Sequence, residues 1–481
     1  MGMKKSKILW LIISVVSLWM MTSCLDDEDF SLSKHDLLSF SVDTICLDTV
    51  FSNVPSSTQS MWVYNRTDKD IRCSTVRLVG GNQNGYRVNV DGTYLSQNVG
   101  YQTQDVEVRK GDSIRVFIEL TSPRQNADQP QLVADQLLFT LESGTQQMLD
   151  LKAYAWDAIL LQDIHIHKDT IFATNKPIVI KEKMMVDSAV TLTLSAGSSL
   201  YFDEKASLVV AGRLLVEGEK DKEVTLRGSA LNKLFDNLPY DRTAGRWQGI
   251  HFLSSSVGNK ISFADIHSAY DGVVLDSCGM DQTKLLLENS TIHNCQGNGL
   301  SVNHAKVIVR NSQLSNSLNH CLYVDGGDVS VNQSTIAQFY PFQGNRASAV
   351  GVKTPLRQLL VQNTLITGYK DDELEFVGEE GDKSQLTFDH CVLRRSESKV
   401  LDSLTFKHVV YENLKDTTNY GEKHFKVFDT TNYIYDFHLS PSSAAIDAAD
   451  PQTSLPYDRD GAKRDDKPDV GCYEYNKALQ Q

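Results

Sequence analysis

Leu285-Leu286-Leu287-Glu288-Asn289-Ser290-Thr291-Ile292 comes back as Val307-Ile308-Val309-Arg310-Asn311-Ser312-Gln313-Leu314, then as Val329-Ser330-Val331-Asn332-Gln333-Ser334-Thr335-Ile336. Each copy starts 22 residues after the last. Leu359 to Ile366 and Leu386 to Leu393 continue the series at longer offsets, as surface insertions within a repeat would cause. Alternate residues are aliphatic, the period of a strand. A second short strand follows in each copy, as in Gly299-Leu300-Ser301-Val302 and Cys321-Leu322-Tyr323-Val324. One such unit cannot bury its own apolar face, so the units must stack. Strands paired coil on coil advance about 4.8 Å per coil. Asn289, Asn311 and Asn363 recur at one bend, and a ladder of stacked Asn side chains is expected there.

The repeats resemble those of right-handed parallel β-helix proteins over roughly residues 175–415. Leucine-rich repeats have a similar period, but their pattern of spaced leucines is not seen. Upstream, Ser60 to Asn65, Ile71 to Leu78, Ser113 to Leu120, Gln136 to Leu141 and Gln147 to Ala153 alternate between turn signals. That spacing predicts an antiparallel sandwich. It is similar to immunoglobulin-like sandwiches of bacterial envelope proteins. The expected fold class is therefore all-β, a right-handed parallel β-helix preceded by an immunoglobulin-like β-sandwich.

The N-terminus reads as a targeting segment. Lys4, Lys5 and Lys7 precede an apolar stretch, Ile8 to Met21, and then Met21-Thr22-Ser23-Cys24. Those four residues resemble a bacterial lipobox, which implies cleavage before Cys24 and its acylation. Leu25-Asp26-Asp27-Glu28-Asp29 resembles the surface-export signal of lipoproteins in the Bacteroides group. The expected location is the outer membrane, lipid-anchored, at the cell surface. Eight cysteines with no CxxC pair make neither a zinc pattern nor a disulfide framework. A Cys46–Cys73 bridge is one option. A net charge of −14 argues against a nucleic-acid partner.

Leu439-Ser440-Pro441 leads to Ala445-Ile446-Asp447, then Asp458-Arg459-Asp460-Gly461 and Asp469-Val470-Gly471-Cys472-Tyr473-Glu474-Tyr475. This is similar to the choice-of-anchor Q element of envelope β-helix proteins. It is expected to cap the open end of the helix, fixed by a network of Asp447, Asp460, Arg464 and Asp469. The expected organisation is a signal peptide over 1–23, an acidic tether over 24–38 and the sandwich over 39–156. The β-helix follows over 157–430 and the capping element over 431–481.

No complete catalytic signature of a polygalacturonase or pectate lyase is found. Asp371, Asp372, Glu373 and Glu375, followed by Glu379, Glu380 and Asp382, offer oxygen ligands of the kind Ca²⁺ takes. No other cofactor is expected. His293, His304 and His320, with Asp325 and Asp328, and separately His165 and His167, are the histidines placed to act as bases or metal ligands. Tyr340, Phe342 and Tyr369 are expected as exposed rings in the irregular coils, there either to stack on sugar rings or to pack an inserted loop. The expected role is a binding or structural rod whose partner is a polysaccharide or an envelope or host protein. The alternative is a lyase or glycoside hydrolase acting on acidic polysaccharide.

Overall fold

The computed structural model describes residues 29–377, 385–395, 405–416 and 418–475. The expected signal peptide, Cys24 and most of the acidic run lie outside them, as do Glu379, Glu380 and Asp382. The chain divides at Trp156 into two compact units, with residues 126–129 belonging to the second.

The first unit is a β-sandwich. One five-stranded sheet contains Gln59–Asn65, Ser113–Leu120 and Tyr86–Val90; the other contains Gln146–Trp156, Gln131–Leu141 and Ile71–Leu78. Pairing is antiparallel except that Thr44–Phe51 runs parallel to Gln146–Trp156. Alternate residues such as Val63, Val76, Val88, Val116, Phe139 and Leu151 point inward and are fully buried. The same alternation separates the two candidate bridge cysteines. Cys46 faces outward between buried Ile45 and Leu47, whereas Cys73 lies in the core, and both are free thiols. The expected tether also ends early. Phe30 bridges to Asp70 and its ring lies 3.7 Å from the Arg72 guanidinium, so the chain joins the sandwich eight residues before Leu38–Phe40.

The second unit is a right-handed parallel β-helix of three sheets. Sheet 1 runs from Ile159–Leu161 to Val410–Tyr411, sheet 2 from Ile164–Ile166 to Leu374–Phe376, and sheet 3 from Thr170–Phe172 to Phe406–Lys407. Register follows the sequence repeat. Leu285 pairs with Val307, Val307 with Val329, Val329 with Leu359 and Leu359 with Leu386. These rows fill one continuous core with Ile266, Ile292, Leu314 and Ile336 from sheet 1 and Val302, Val324 and Val352 from sheet 2. Cys295, Cys321 and Cys391 pack as small buried apolar groups, and burial pushes the Cys295 and Cys391 thiols up to about 12.

The bend between sheets 3 and 1 corrects one expectation. Phe263, Asn289, Asn311, Gln333, Asn363 and His390 all occupy it with φ between 46° and 51°. This is the left-handed region, which Asn tolerates better than most residues. The stacked ladder, however, is made by the residue after each of them. The amide of Ala264 donates to Ser290 Oγ, that of Ser290 to Ser312, that of Ser312 to Ser334 and that of Ser334 to Thr364. Each hydroxyl in turn donates to the carbonyl two residues back in its own coil. Cys391 takes the same place, its thiol 3.5 Å from the Asp389 carbonyl. The hydroxyl supplies both an acceptor and a donor at a site closed to water, which an Asn side chain pointing outward does not.

The C-terminal segment does not follow the expected capping geometry. Residues 450–473 lie along the flank of the helix, over the bend and the outer face of sheet 1. Asn311 Nδ2 donates to the Tyr457 carbonyl, Gln333 Nε2 to that of Asp469, and the Asp450 amide to Asn363 Oδ1. The hairpin Phe425–Asp429 with Ile434–Leu439 precedes it and begins before residue 431. Phe425, Phe437, Leu439, Ala445, Val470 and Cys472 form a second core against Ala337, Leu365 and Val392, which are outward residues of sheet 1. Those apolar outward residues require cover, and the hairpin together with the segment that follows it over residues 440–475, here called the strap, supplies it.

Replacing Ser312 by Ala should lower stability by about 1–3 kcal/mol, because the Ser290 amide is left buried without an acceptor. The outward Ser330→Ala should be near neutral. Urea denaturation of the two variants checks this; equal midpoints would contradict the role of the hydroxyl column.

Candidate functional site

Among the described residues, chemistry-bearing side chains of the second unit gather at a corner cleft, in the strap and in histidine–carboxylate clusters.

The corner cleft, about 550 Å³, lies where the strap crosses the bend. Phe263, Glu288, Asn289 and Arg310 line it from the helix, and Leu455, Pro456 and Tyr457 from the strap. Glu288 ends one sheet 3 strand and pairs across the coils with Lys260 at 2.8 Å and Arg310 at 2.9 Å. Burial opposes the Glu288 charge, but the two cations hold its carboxyl below the usual range. Tyr457 stands beside this array with 54% of its surface exposed.

The expected cap residues fall into two networks. Arg464 is buried and donates to Glu474 at 2.8 Å, to the carbonyls of Asp469 and Gly471, and to Asn311 Oδ1. Asp469 accepts from the backbone amides of Asp447 and Tyr475, and burial raises its pKa to about 7. Asp447 joins by its amide, not its carboxylate. Asp460 belongs to the other network, where it meets His438 at 2.7 Å and Arg459 at 3.2 Å. Arg459 reaches back to Glu223 at 2.8 Å. Burial lowers the His438 pKa, but Asp436 and Asp460 outweigh it and hold it at about 9.

The expected acidic cluster is not convergent. Glu373 is fully buried and accepts from the amides of Ala349 and Lys370; burial pushes its pKa up to about 8. Asp372 pairs with Arg395 at 3.1 Å, Glu375 meets Ser348 at 3.4 Å, and Asp371 is exposed. Of the two alternatives for the aromatic rings, the contacts are those of packing. Tyr340 is buried, Phe342 packs on Tyr433, and Tyr369 packs edge-on against Phe339 beneath the hairpin. Apolar cover for sheet 1 claims these rings.

The histidines regroup. His320 Nδ1 donates to the Ser348 carbonyl at 2.8 Å and its ring stacks on Tyr323, while His304 lies beside Asn303. His293 joins Asp265 and His267, two residues not singled out from sequence. The available signal was Asp265-Ile266-His267, where a strand's period of two places both side chains outward. His165 and His167 do meet, around Asp187. A third group is Asp389, His390 and His408.

A family model described as "Right handed beta helix region" matches residues 248–398. No curated protein matches the chain. Matching solved structures include the VesB protease of Vibrio cholerae, at 13% identity and a TM-score of 0.17 over 24% of this chain and 31% of that one. A family 123 glycoside hydrolase from Clostridium perfringens matches at 8% identity and 0.17, over 26% of each chain. The chain thus spans less than a third of the length of these two solved structures.

The strap networks and buried Glu373 set a pH dependence. His438 is protonated more readily when folded, so its stabilisation is complete below its unfolded value, about 6.5, and fades as pH rises through 9. Glu373 and Asp469 also hold protons better when folded, so their charging costs stability up to about 8 and about 7. The melting temperature should therefore fall from pH 6.5 to 9, and His438→Gln should flatten the upper part of that fall. A thermal scan series showing no fall, or a rise, would contradict these assignments.

Proposed function

We propose that this protein is a lipid-anchored, cell-surface rod that binds a glycan at the corner cleft. The observation that carries the reading is the exposed Tyr457 ring beside the Lys260–Glu288–Arg310 array. An aromatic face stacks on the apolar face of a sugar ring, and planar charged groups bond its hydroxyls or carboxylates. The cleft is framed by rigid coils, which keeps the binding groups in place. Cys24, after a basic and apolar leader, supports anchoring through acyl chains, and several chains together give stable attachment. The acidic run after Cys24 supports export to the outer surface. In this reading the segment 439–475 is a choice-of-anchor Q-like element that buttresses the rod's flank.

Replacing Cys24 by Ala should move the protein from the membrane to the soluble fraction on cell fractionation; retention in the membrane would count against the anchor. Affinity electrophoresis against neutral and uronate polysaccharides should retard the wild type. Tyr457→Ala should weaken that binding about tenfold, equivalent to ~1.4 kcal/mol. Unchanged retardation of the variant would remove the cleft as the site. Growth of the ultraviolet absorbance of unsaturated uronates during the same incubation would replace the binding reading with a lyase.

A further inference from the structure

The outer face of sheet 1 carries a second site, independent of the corner cleft. His267 and His293 are register partners on adjacent parallel strands, Ala264–His267 and Thr291–Cys295. Asp265 precedes His267 by two residues, so all three side chains project from the same face. Both imidazoles converge on one carboxylate oxygen. His267 Nδ1 lies 3.2 Å from Asp265 Oδ1, and His293 Nε2 lies 3.0 Å from the same atom. The three donor atoms all lie within 4.8 Å of one another.

The two nitrogen–oxygen separations are those of ligands sharing one ion. Bonds of about 2.0–2.2 Å at angles between a right angle and the tetrahedral value put neighbouring ligand atoms about 2.9–3.5 Å apart. The ring centroids are 4.8 Å apart, close to the roughly 4.5–5 Å expected when two imidazoles radiate from one ion at such angles. We propose that Asp265, His267 and His293 form a binding site for a divalent first-row transition metal, with the remaining coordination positions open to solvent.

The surroundings suit a preorganised site. His267 is nearly buried, whereas Asp265 and His293 keep about 30% and 26% of their side chains exposed, so an ion has a route in. Trp247 Nε1 donates to the His267 carbonyl at 2.8 Å and fixes that strand end. Arg227, on the neighbouring strand, is the nearby cation that would oppose metal binding. Its guanidinium is turned to the carbonyls of Gly228 and Ala230 and paired with Asp241 at 3.3 Å, which offsets its charge. The other two histidine clusters are less suited. His165 and His167 engage different oxygens of Asp187 and are largely exposed. His408 is likewise mostly exposed beside Asp389. Nitrogen-rich sites with one carboxylate select zinc, cobalt, nickel, copper or iron over calcium or magnesium.

The test uses the full chain carrying His165→Ala, His167→Ala, His390→Ala and His408→Ala, which removes the other two clusters. Titration with Zn²⁺ by calorimetry should show one equivalent bound. Asp265→Asn and His293→Gln, each added to that background, should weaken binding at least tenfold, with far-ultraviolet circular dichroism unchanged. Copper(II) bound to the background protein should show hyperfine coupling to two imidazole nitrogens in its electron paramagnetic resonance spectrum, a readout that needs no further variant. Absence of Zn²⁺ binding, binding untouched by both substitutions, or a copper spectrum without nitrogen coupling would each overturn the site. In that case the two histidines serve only as hydrogen-bond partners of the Asp265 carboxylate.

Discussion

At the five bends from Asn289 to His390, the chain leaves sheet 3 and enters sheet 1 through one residue in the left-handed region, followed by one buried hydroxyl or thiol. The φ values from Phe263 to His390 differ by no more than a few degrees. The hydroxyls of Ser290, Ser312, Ser334 and Thr364 tie each bend to the next coil and to their own. The bend thereby aligns the strands on both sides of it, and the aliphatic rows fall into stack as a consequence. Hydrophobic burial supplies the driving force, but register is a matter of where the chain turns, since a slip of one residue would send every inward side chain outward.

The same bend organises the surface. A left-handed residue points its side chain away from the core, and here Asn311, Gln333 and Asn363 use theirs to hold the strap. Where the strap crosses, it brings Tyr457 beside Glu288 and Arg310 and creates the corner cleft. On the outer face of the same sheet, Asp265, His267 and His293 meet. Both sites therefore depend on regular coil stacking, since each gathers residues from adjacent coils.

Much of the fold was legible because it rests on periodicity. The repeat offsets, 22 residues and then longer, together with the alternating aliphatic residues predicted the pairs that the sheets contain, from Leu285 to Leu386. The recurrence of Asn289, Asn311 and Asn363 marks the bend, but the ladder expected on Asn lies on the adjoining Ser and Thr. A polar side chain's partner depends on which way it points, and spacing alone does not say. The strap could not be placed for a similar reason. Its Asp-rich motif suggested a network, yet Arg464 pairs with Glu474 and Asp460 with His438, contacts set by the path of a segment that returns over distant coils. Tyr369 could not be placed from its own irregular coil, because the hairpin ring it packs against, Phe428, comes some 60 residues later in the chain. The Asp265 group was missed because its members come from two coils 26 residues apart, an offset outside the regular period.

Hydrogen–deuterium exchange followed by mass spectrometry tests most directly whether the strap is built into the helix flank through the bend. The amides of Asp450, Leu455 and Gly471 donate to the bend residues Asn363 and Gln333. Peptides over 449–458 and 468–473 should exchange slowly, at rates near those of the core strands around Val307–Val309 and Val329–Val331. Exchange of those peptides at the rate of an exposed loop, with the core strands still protected, would contradict the account.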